Sequence, residues 1–211
     1  MDFDAVILAG GKSSRLGGVP KAELKFGGAT LLQRALEAAH GAGTVVVVGP
    51  DPGTLPDGTL TAREDPPFAG PAAAIEAGLA ALEQDDVTRA GHGRLPSGTH
   101  ARWVLVMACD MPFAGTAVPV LLSELAEHPD AEGAISVSAD GRRQPLLGVY
   151  RFSALQREVL AAAEQGGLAN AAVFRLLARL DLLAVPVPAG STDDVDTWGD
   201  AAALGVDGDQ P

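Results

Sequence analysis

The 211-residue chain has a single cysteine and three lysines. With Cys109 alone there is no partner for an intrachain disulfide and no set of thiolates for zinc or an iron–sulfur cluster. Basic residues are outnumbered, 15 against 27 acidic ones, which gives a formal charge of −12 and a pI near 4.6. A chain this acidic lacks the electrostatic footprint that DNA, RNA or an anionic membrane surface requires. No apolar stretch of about 20 residues occurs, so no segment is expected to span a bilayer. Asp2 and Asp4 stand where a signal peptide would carry positive charge. These absences predict a cytoplasmic protein with no nucleic-acid and no membrane partner.

Hydrophobic residues make up 47% of the chain and charged ones 20%, the balance of a folded globular domain. At this length a domain buries about 70% of the surface its unfolded chain exposes, so neither a disulfide nor a structural metal is needed. Apolar runs rich in β-branched residues stand at Ala5-Val-Ile-Leu8, Thr44-Val-Val-Val-Val48, Trp103-Val-Leu-Val-Met107, Gly133-Ala-Ile-Ser-Val137 and Leu146-Leu-Gly-Val-Tyr150. Helical patterns fall between them, at about 30–41, 71–83, 116–128, 153–165 and 170–180, with a last short helix near 197–204. The alternation predicts an α/β fold, a single Rossmann-like three-layer α/β/α domain with a mostly parallel sheet over residues 1–205. Residues 85–102 lack periodicity and are rich in Gly, Ser, Pro and His, which predicts a flexible insertion. Residues 206–211 are expected to form a disordered tail.

The basic residues are unevenly placed. Lys12, Lys21 and Lys25 fall with Arg15 between residues 12 and 25, so the first 27 residues hold four basic groups against Asp2, Asp4 and Glu23. A locally positive segment in an acidic protein points to one small anion near the N-terminus. The run Leu8-Ala-Gly-Gly-Lys-Ser-Ser-Arg-Leu-Gly-Gly-Val-Pro-Lys21 follows a strand and joins Gly10, Gly11, Gly17 and Gly18 to three cations. Glycines let consecutive N–H groups converge on phosphate oxygens while the cations neutralise charge. A glycine-rich turn with solvated lysines is the plain alternative. The loop is not a Walker A motif, because Gly17-Gly18-Val19 stands where Gly-Lys-Ser/Thr is required. The G-x-G-x-x-G spacing is also missing, which disfavours a dinucleotide-dependent oxidoreductase.

A second signal is Trp103-Val-Leu-Val-Met-Ala-Cys-Asp-Met-Pro112, an apolar strand that ends in a carboxylate. Ligands of open α/β sheets gather beyond the carboxyl ends of strands, so Asp110 is placed where a metal-bound phosphate would sit. Mg²⁺ takes one or two carboxylates together with phosphate oxygens and water. A cap on the following helix is the other role for Asp110. Thr192-Asp-Asp-Val-Asp-Thr197 offers Asp193, Asp194 and Asp196, and Asp194 and Asp196 share one side if the segment is extended. They complete or support the metal site, or else Asp196 or Thr197 caps the terminal helix. The adjacent Arg142 and Arg143 are either a solvated hairpin edge or a bidentate grip on a phosphate. Asn170 is an N-cap or a contact to a pterin. His40, His92, His100 and His128 join no catalytic cluster by pattern.

The pattern Leu-Ala-Gly-Gly-x-Ser-x-Arg-x-Gly-x-x-x-Lys from Leu8 to Lys21 resembles the signature of the sugar-nucleotidyltransferase-like superfamily. Within it the Gly10-Gly11 pair resembles the molybdenum cofactor guanylyltransferases, whereas relatives that use CTP more often show Ala-Ala-Gly. The likeness extends to about residue 204. It implies that Leu8, Ala9, Gly10 and Gly11 wrap a triphosphate, that Lys21 contacts it, and that Arg15, Lys21 and Asp110 serve catalysis. It further implies that Asp110, within Cys109-Asp-Met-Pro112, ligates Mg²⁺ and that Cys109 only packs; it places Asp194 and Asp196 near the active site without fixing a ligand role, and Asp196 is the second candidate ligand. Asp65, in Arg63-Glu-Asp-Pro-Pro-Phe-Ala-Gly-Pro71, is implied to bind the nucleoside, and Gln144-Pro145 to face the acceptor. One departure is Gly49-Pro50, where the family often offers an Asn, so a contact there is through backbone or missing. The implied activity is transfer of GMP from GTP to the phosphate of molybdopterin or the molybdenum cofactor, with release of pyrophosphate. The implied partners include cofactor-insertion or molybdoenzyme-maturation proteins, met transiently. Two other possibilities are a cytidylyltransferase or other nucleotidyltransferase for the same cofactor or a small phosphorylated acceptor, and a non-catalytic nucleotide-binding subunit that delivers the cofactor.

Overall fold

The computed structural model describes every residue except 51, 52, 54, 92–101, 166, 170 and 209–211. In chain order its elements begin with β1 (Phe3–Leu8), β2 (Lys25–Phe26), β3 (Ala29–Thr30), α1 (Leu31–Ala38), β4 (Val45–Val48), β5 (Leu60–Ala62), α2 (Pro71–Gly91) and β6 (Trp103–Ala108). They continue with α3 (Val118–Glu127), β7 (Gly133–Val137), β8 (Arg143–Arg151), α4 (Phe152–Glu164), α5 (Val173–Leu177), β9 (Leu182–Pro186), α6 (Trp198–Leu204) and β10 (Val206–Asp207). Seven strands form one sheet in the order β5-β4-β1-β6-β8-β7-β9, and β8 alone runs against its neighbours. The expected mostly parallel α/β architecture is therefore present.

Side-chain alternation along β1 divides the core. Ala5 and Ile7 pack on one face with Leu32 and Ala35 of α1 and Leu121 and Leu125 of α3. Val6 and Leu8 pack on the other with Ile75, Leu79 and Leu82 of α2, Leu155 of α4 and Leu176 of α5. A smaller core of Leu16, Leu24, Leu31, Val195, Ala201 and Val206 joins the glycine-rich loop to the C-terminal segment, beside the small sheet β10-β2-β3.

Several boundaries differ from expectation. The helix expected to end near 83 continues to Gly91, so the first part of the expected 85–102 insertion is helical. Past Leu82 the helix loses its buried face, and polar pairs such as Asp85 with Arg89 at 2.7 Å carry it on. Arg102 then ties the start of β6 to Asp4 and Asp86, and the rest of that insertion, with His92 and His100, lies outside the described residues. The expected tail is also shorter, because Val206 is buried and pairs with Phe26 of β2. Helix 170–180 contracts to α5, and Asn170 lies outside the described residues. No helix among the described residues is long and apolar enough to cross a membrane.

Candidate active site

The register levels four strand ends. Ala62 of β5 pairs with Val48 of β4, Val48 with Leu8 of β1, and Leu8 with Ala108 of β6. Two residues beyond the ends of β5, β1 and β6 stand Glu64, Gly10 and Asp110, so three chain segments meet above one row of strand ends. Ala9 donates to Val48 O, and Cys109 donates to Leu8 O, which fixes the first residue past each strand. The N–H groups of Gly10, Gly11 and Lys12 find no acceptor among the described residues, and all three residues are exposed. Such a run of unpaired donors next to Lys12 has the chemistry to cradle an anion. Gly11 has φ +143°, a conformation that a side chain would strain.

Gly49 explains the departure noted in the sequence. Its N–H donates to Ala62 O at 3.0 Å, so it is already engaged. A Cβ there would lie 2.8 Å from Gly10 N and 2.9 Å from Ala9 C. The glycine is required because the glycine-rich loop crosses directly over it.

Across the row, Lys21 sits between two carboxylates. Its Nζ donates to Asp110 Oδ2 at 2.8 Å and to Asp196 Oδ1, and Arg15 reaches Asp196 Oδ2 at 3.3 Å. Burial alone would lower the Lys21 pKa, but Asp110 and Asp196 outweigh it and hold the ammonium above its ordinary value. Asp194 joins the group, for oxygen atoms of Asp110, Asp194 and Asp196 all lie within 4.8 Å of one another. Burial first, then the charges of Asp110 and Asp196, raises the pKa of Asp194.

Local structure accounts for this convergence. Val195 N donates to Asp110 O at 3.0 Å while its side chain is fully buried, so Asp194 and Asp196 project to the other side, as the extended pattern predicts. The cap of α6 is Thr197, whose hydroxyl accepts from Asp200 N while the Asp200 side chain accepts from Thr197 N. This capping box frees Asp196 for the cluster. Asp110 does not cap the following helical turn, whose N-cap is Phe113. Cys109 is buried, and burial pushes its thiol pKa far up, so it has no nucleophilic character.

A cavity of about 430 Å³ opens above the row, lined by Leu8, Gly10, Gly11, Lys12, Lys21 and Asp110 among others. Ala9 is half-buried beside it, and Lys25 is out on β2. Asp65 is exposed and is not among the lining residues; Glu64 is. Burial alternates from Leu60 to Asp65 as in a strand, which turns Glu64 inward and Asp65 outward. The structure thus brings Glu64 rather than Asp65 to this cavity, a distinction carried in the sequence by the Leu60-Thr-Ala-Arg-Glu-Asp alternation.

A second cavity of about 420 Å³ is lined by Ser138, Arg142, Arg143, Gln144, Thr192 and Asp194, together with neighbouring residues. A bulge between Ile135 and Ser136 shifts the β7–β8 register and sets Gln144 and Arg143 opposite Ser136 and Val137 at this rim. Arg142 pairs with Asp140 at 3.0 Å, whereas Arg143 has no ion pair among the described residues. Asp194, which touches this cavity, and Asp110, which touches the first, place the acidic cluster between the two.

A donor-lined glycine loop, a lysine and an acidic cluster at the carboxyl ends of a mostly parallel sheet define an α/β nucleotidyltransferase. The chain belongs to the family of MobA-like NTP transferase domains, whose model matches residues 5–181. A probable molybdenum cofactor guanylyltransferase of Halalkalibacterium halodurans is 31% identical over 163 residues, 74% of this chain and 73% of the relative. The fold is shared with the molybdopterin-guanine dinucleotide biosynthesis protein A of Archaeoglobus fulgidus (TM-score 0.64, 22% identity, 95% and 96% of the two chains). It is also shared with a 2-C-methyl-D-erythritol 4-phosphate cytidylyltransferase of Thermus thermophilus (TM-score 0.65, 19% identity, 97% of each chain).

Proposed function

We propose that the protein transfers GMP from GTP to the phosphate of molybdopterin or the molybdenum cofactor, releasing pyrophosphate. The observation that carries the proposal is the acidic cluster between two cavities, one bordered by the glycine loop and Lys21, the other by Arg143. The kinship with guanylyltransferases selects GTP and the pterin as the pair of substrates. In this chemistry an oxygen of the acceptor phosphate bonds to the α-phosphorus of GTP, and the bond from that phosphorus to the bridging oxygen breaks. An acceptor phosphate is already ionised at neutral pH, so the protein needs no general base and contributes by positioning and charge neutralisation.

The N–H groups of Gly10 and Gly11 and the ammonium of Lys21 would hold the triphosphate, with Arg15 neutralising charge at its edge. Arg143 would grip the acceptor phosphate. Three clustered carboxylates are an oxygen donor set suited to a hard divalent cation, so Asp110, with Asp196 and Asp194 beside it, would hold Mg²⁺. When bound, that ion supplies charge stabilisation at the phosphates. The test is pyrophosphate release from each nucleoside triphosphate with Mg²⁺, with and without molybdopterin. Release is expected only with GTP and molybdopterin together, and Asp110→Asn is expected to lower it at least about 100-fold, the size of a lost charge-stabilising group, with unchanged thermal unfolding. Full activity of Asp110→Asn would refute the assignment.

A further inference from the structure

We propose that Glu64 reads the base of the nucleotide, its Oε2 accepting N–H groups from the Watson–Crick edge of guanine. The proposal rests on the nucleotide lying in the cavity above the strand ends.

Glu64 is 7% exposed and lines that cavity together with Leu8, Phe68, Ala74 and Leu146. Its Oε1 accepts the N–H of Phe68 at 3.0 Å and lies 3.6 Å from where a Cβ on Gly10 would stand. Phe68 has φ +63°, so this bond holds a turn that L residues rarely adopt. Holding the turn takes one acceptor, which a glutamine would supply equally well. The second oxygen, Oε2, is buried and has no partner among the described residues. A buried carboxylate oxygen without a donor is unfavourable and awaits one.

A carboxylate repels phosphate oxygens, so Glu64 fits the base and not the phosphates even though its side chain reaches in to Gly10. Glu64 comes off β5 and Asp110 off β6, with β4 and β1 between them, so their backbones stand three strand spacings, about 14 Å, apart. A nucleotide laid along this row with its phosphates at Lys21 and Asp110 carries its base toward Glu64, against the apolar Leu8 and Ala74. Guanine presents two adjacent donors there, N1–H and the 2-amino group. Adenine and cytosine each set a ring-nitrogen acceptor beside their one amino group. A carboxylate only accepts, so it rewards the first pattern and repels the lone pair in the other two.

Equilibrium binding of GTP, inosine triphosphate, ATP and CTP to the full chain and to Glu64→Gln tests the assignment. Glutamine keeps an oxygen for Phe68 and puts an NH₂ donor in place of Oε2. The natural chain should bind GTP at least about 10-fold more tightly than ATP or CTP, with inosine triphosphate, which lacks the 2-amino group, in between. Glu64→Gln should weaken GTP by about 10–100-fold, the worth of hydrogen bonds to a charged acceptor, change ATP and CTP by under about 3-fold, and leave thermal unfolding as it was. If Glu64→Gln fails to fold, Glu64→Asp, which withdraws the carboxylate by one methylene, should show the same selective loss. An unaltered GTP-to-ATP ratio in the folded variant overturns the proposal, as does a natural chain with no base preference. A natural chain that binds none of the four nucleotides refutes the nucleotide site itself and takes the proposal with it.

Discussion

Gly10, in the glycine-rich loop, and Gly49, packed against it, are glycines for opposite reasons. The space around Gly10 would admit a methyl, its nearest neighbour being Glu64 Oε1 at 3.6 Å, whereas a methyl on Gly49 would meet the Gly10 and Ala9 backbone below 3.0 Å. Gly10→Ala is therefore expected to unfold within about 0.5 kcal/mol of the natural chain while binding GTP more weakly, because the methyl stands where the ligand approaches. Gly49→Ala should cost about 1–3 kcal/mol of stability, from overpacking and a strained φ of +150°. Denaturant unfolding of both variants checks the pair, and equal stabilities would contradict it. At this scale the loop was legible because its glycines, Lys21 and Asp110 sit in short contiguous patterns. Glu64 and Asp65 were not separable that way, since adjacent carboxylates differ only in which way a strand turns them.

The element that sets the cavity wall is α2, which begins at Pro71 and passes closely over the sheet. Gly78 in its interior weakens the helix by about 1 kcal/mol relative to alanine. The reason it is there is contact: a Cβ would fall 2.4 Å from Val6 Cγ1 and 3.2 Å from Val48 Cγ2. Despite the better helix propensity, Gly78→Ala should lower stability by about 1–3 kcal/mol through overpacking, or several degrees of melting temperature. A melting temperature at or above that of the natural chain would show that α2 lifts off the sheet without cost. β1, β4, β6, β7 and β8 were legible as continuous apolar runs and the helices from their spacing, whereas β9, Leu182–Pro186, was not expected. β2, β3, β5 and β10 have two or three residues each, too few to show a period, and exist because neighbouring strands and the small core fix them.

For the whole molecule the excess of acid is felt most where carboxylates crowd. The Asp194 pKa is raised in the folded state, so the folded protein gives up that proton at a higher pH than the unfolded chain does. That contribution to stability is present below the ordinary aspartate value and lost as pH rises through the raised one, so at neutral pH the charged group is a burden. Asp194→Asn in chelator should melt higher than the natural chain at pH 7, with the gain closing as pH falls toward about 4. The side chain is exposed enough for water to screen it, which keeps the gain below about 1 kcal/mol. A variant that melts lower at pH 7 would contradict the sign. The bond from Val195 N to Asp110 O, 85 residues away along the chain, has a further meaning in the order of synthesis. A nascent chain that has reached Pro186 contains every strand of the seven-stranded sheet, yet of the three clustered carboxylates it contains Asp110 alone. The sheet is thus complete before the acidic cluster can be, and the cluster closes only when Asp194 and Asp196 arrive.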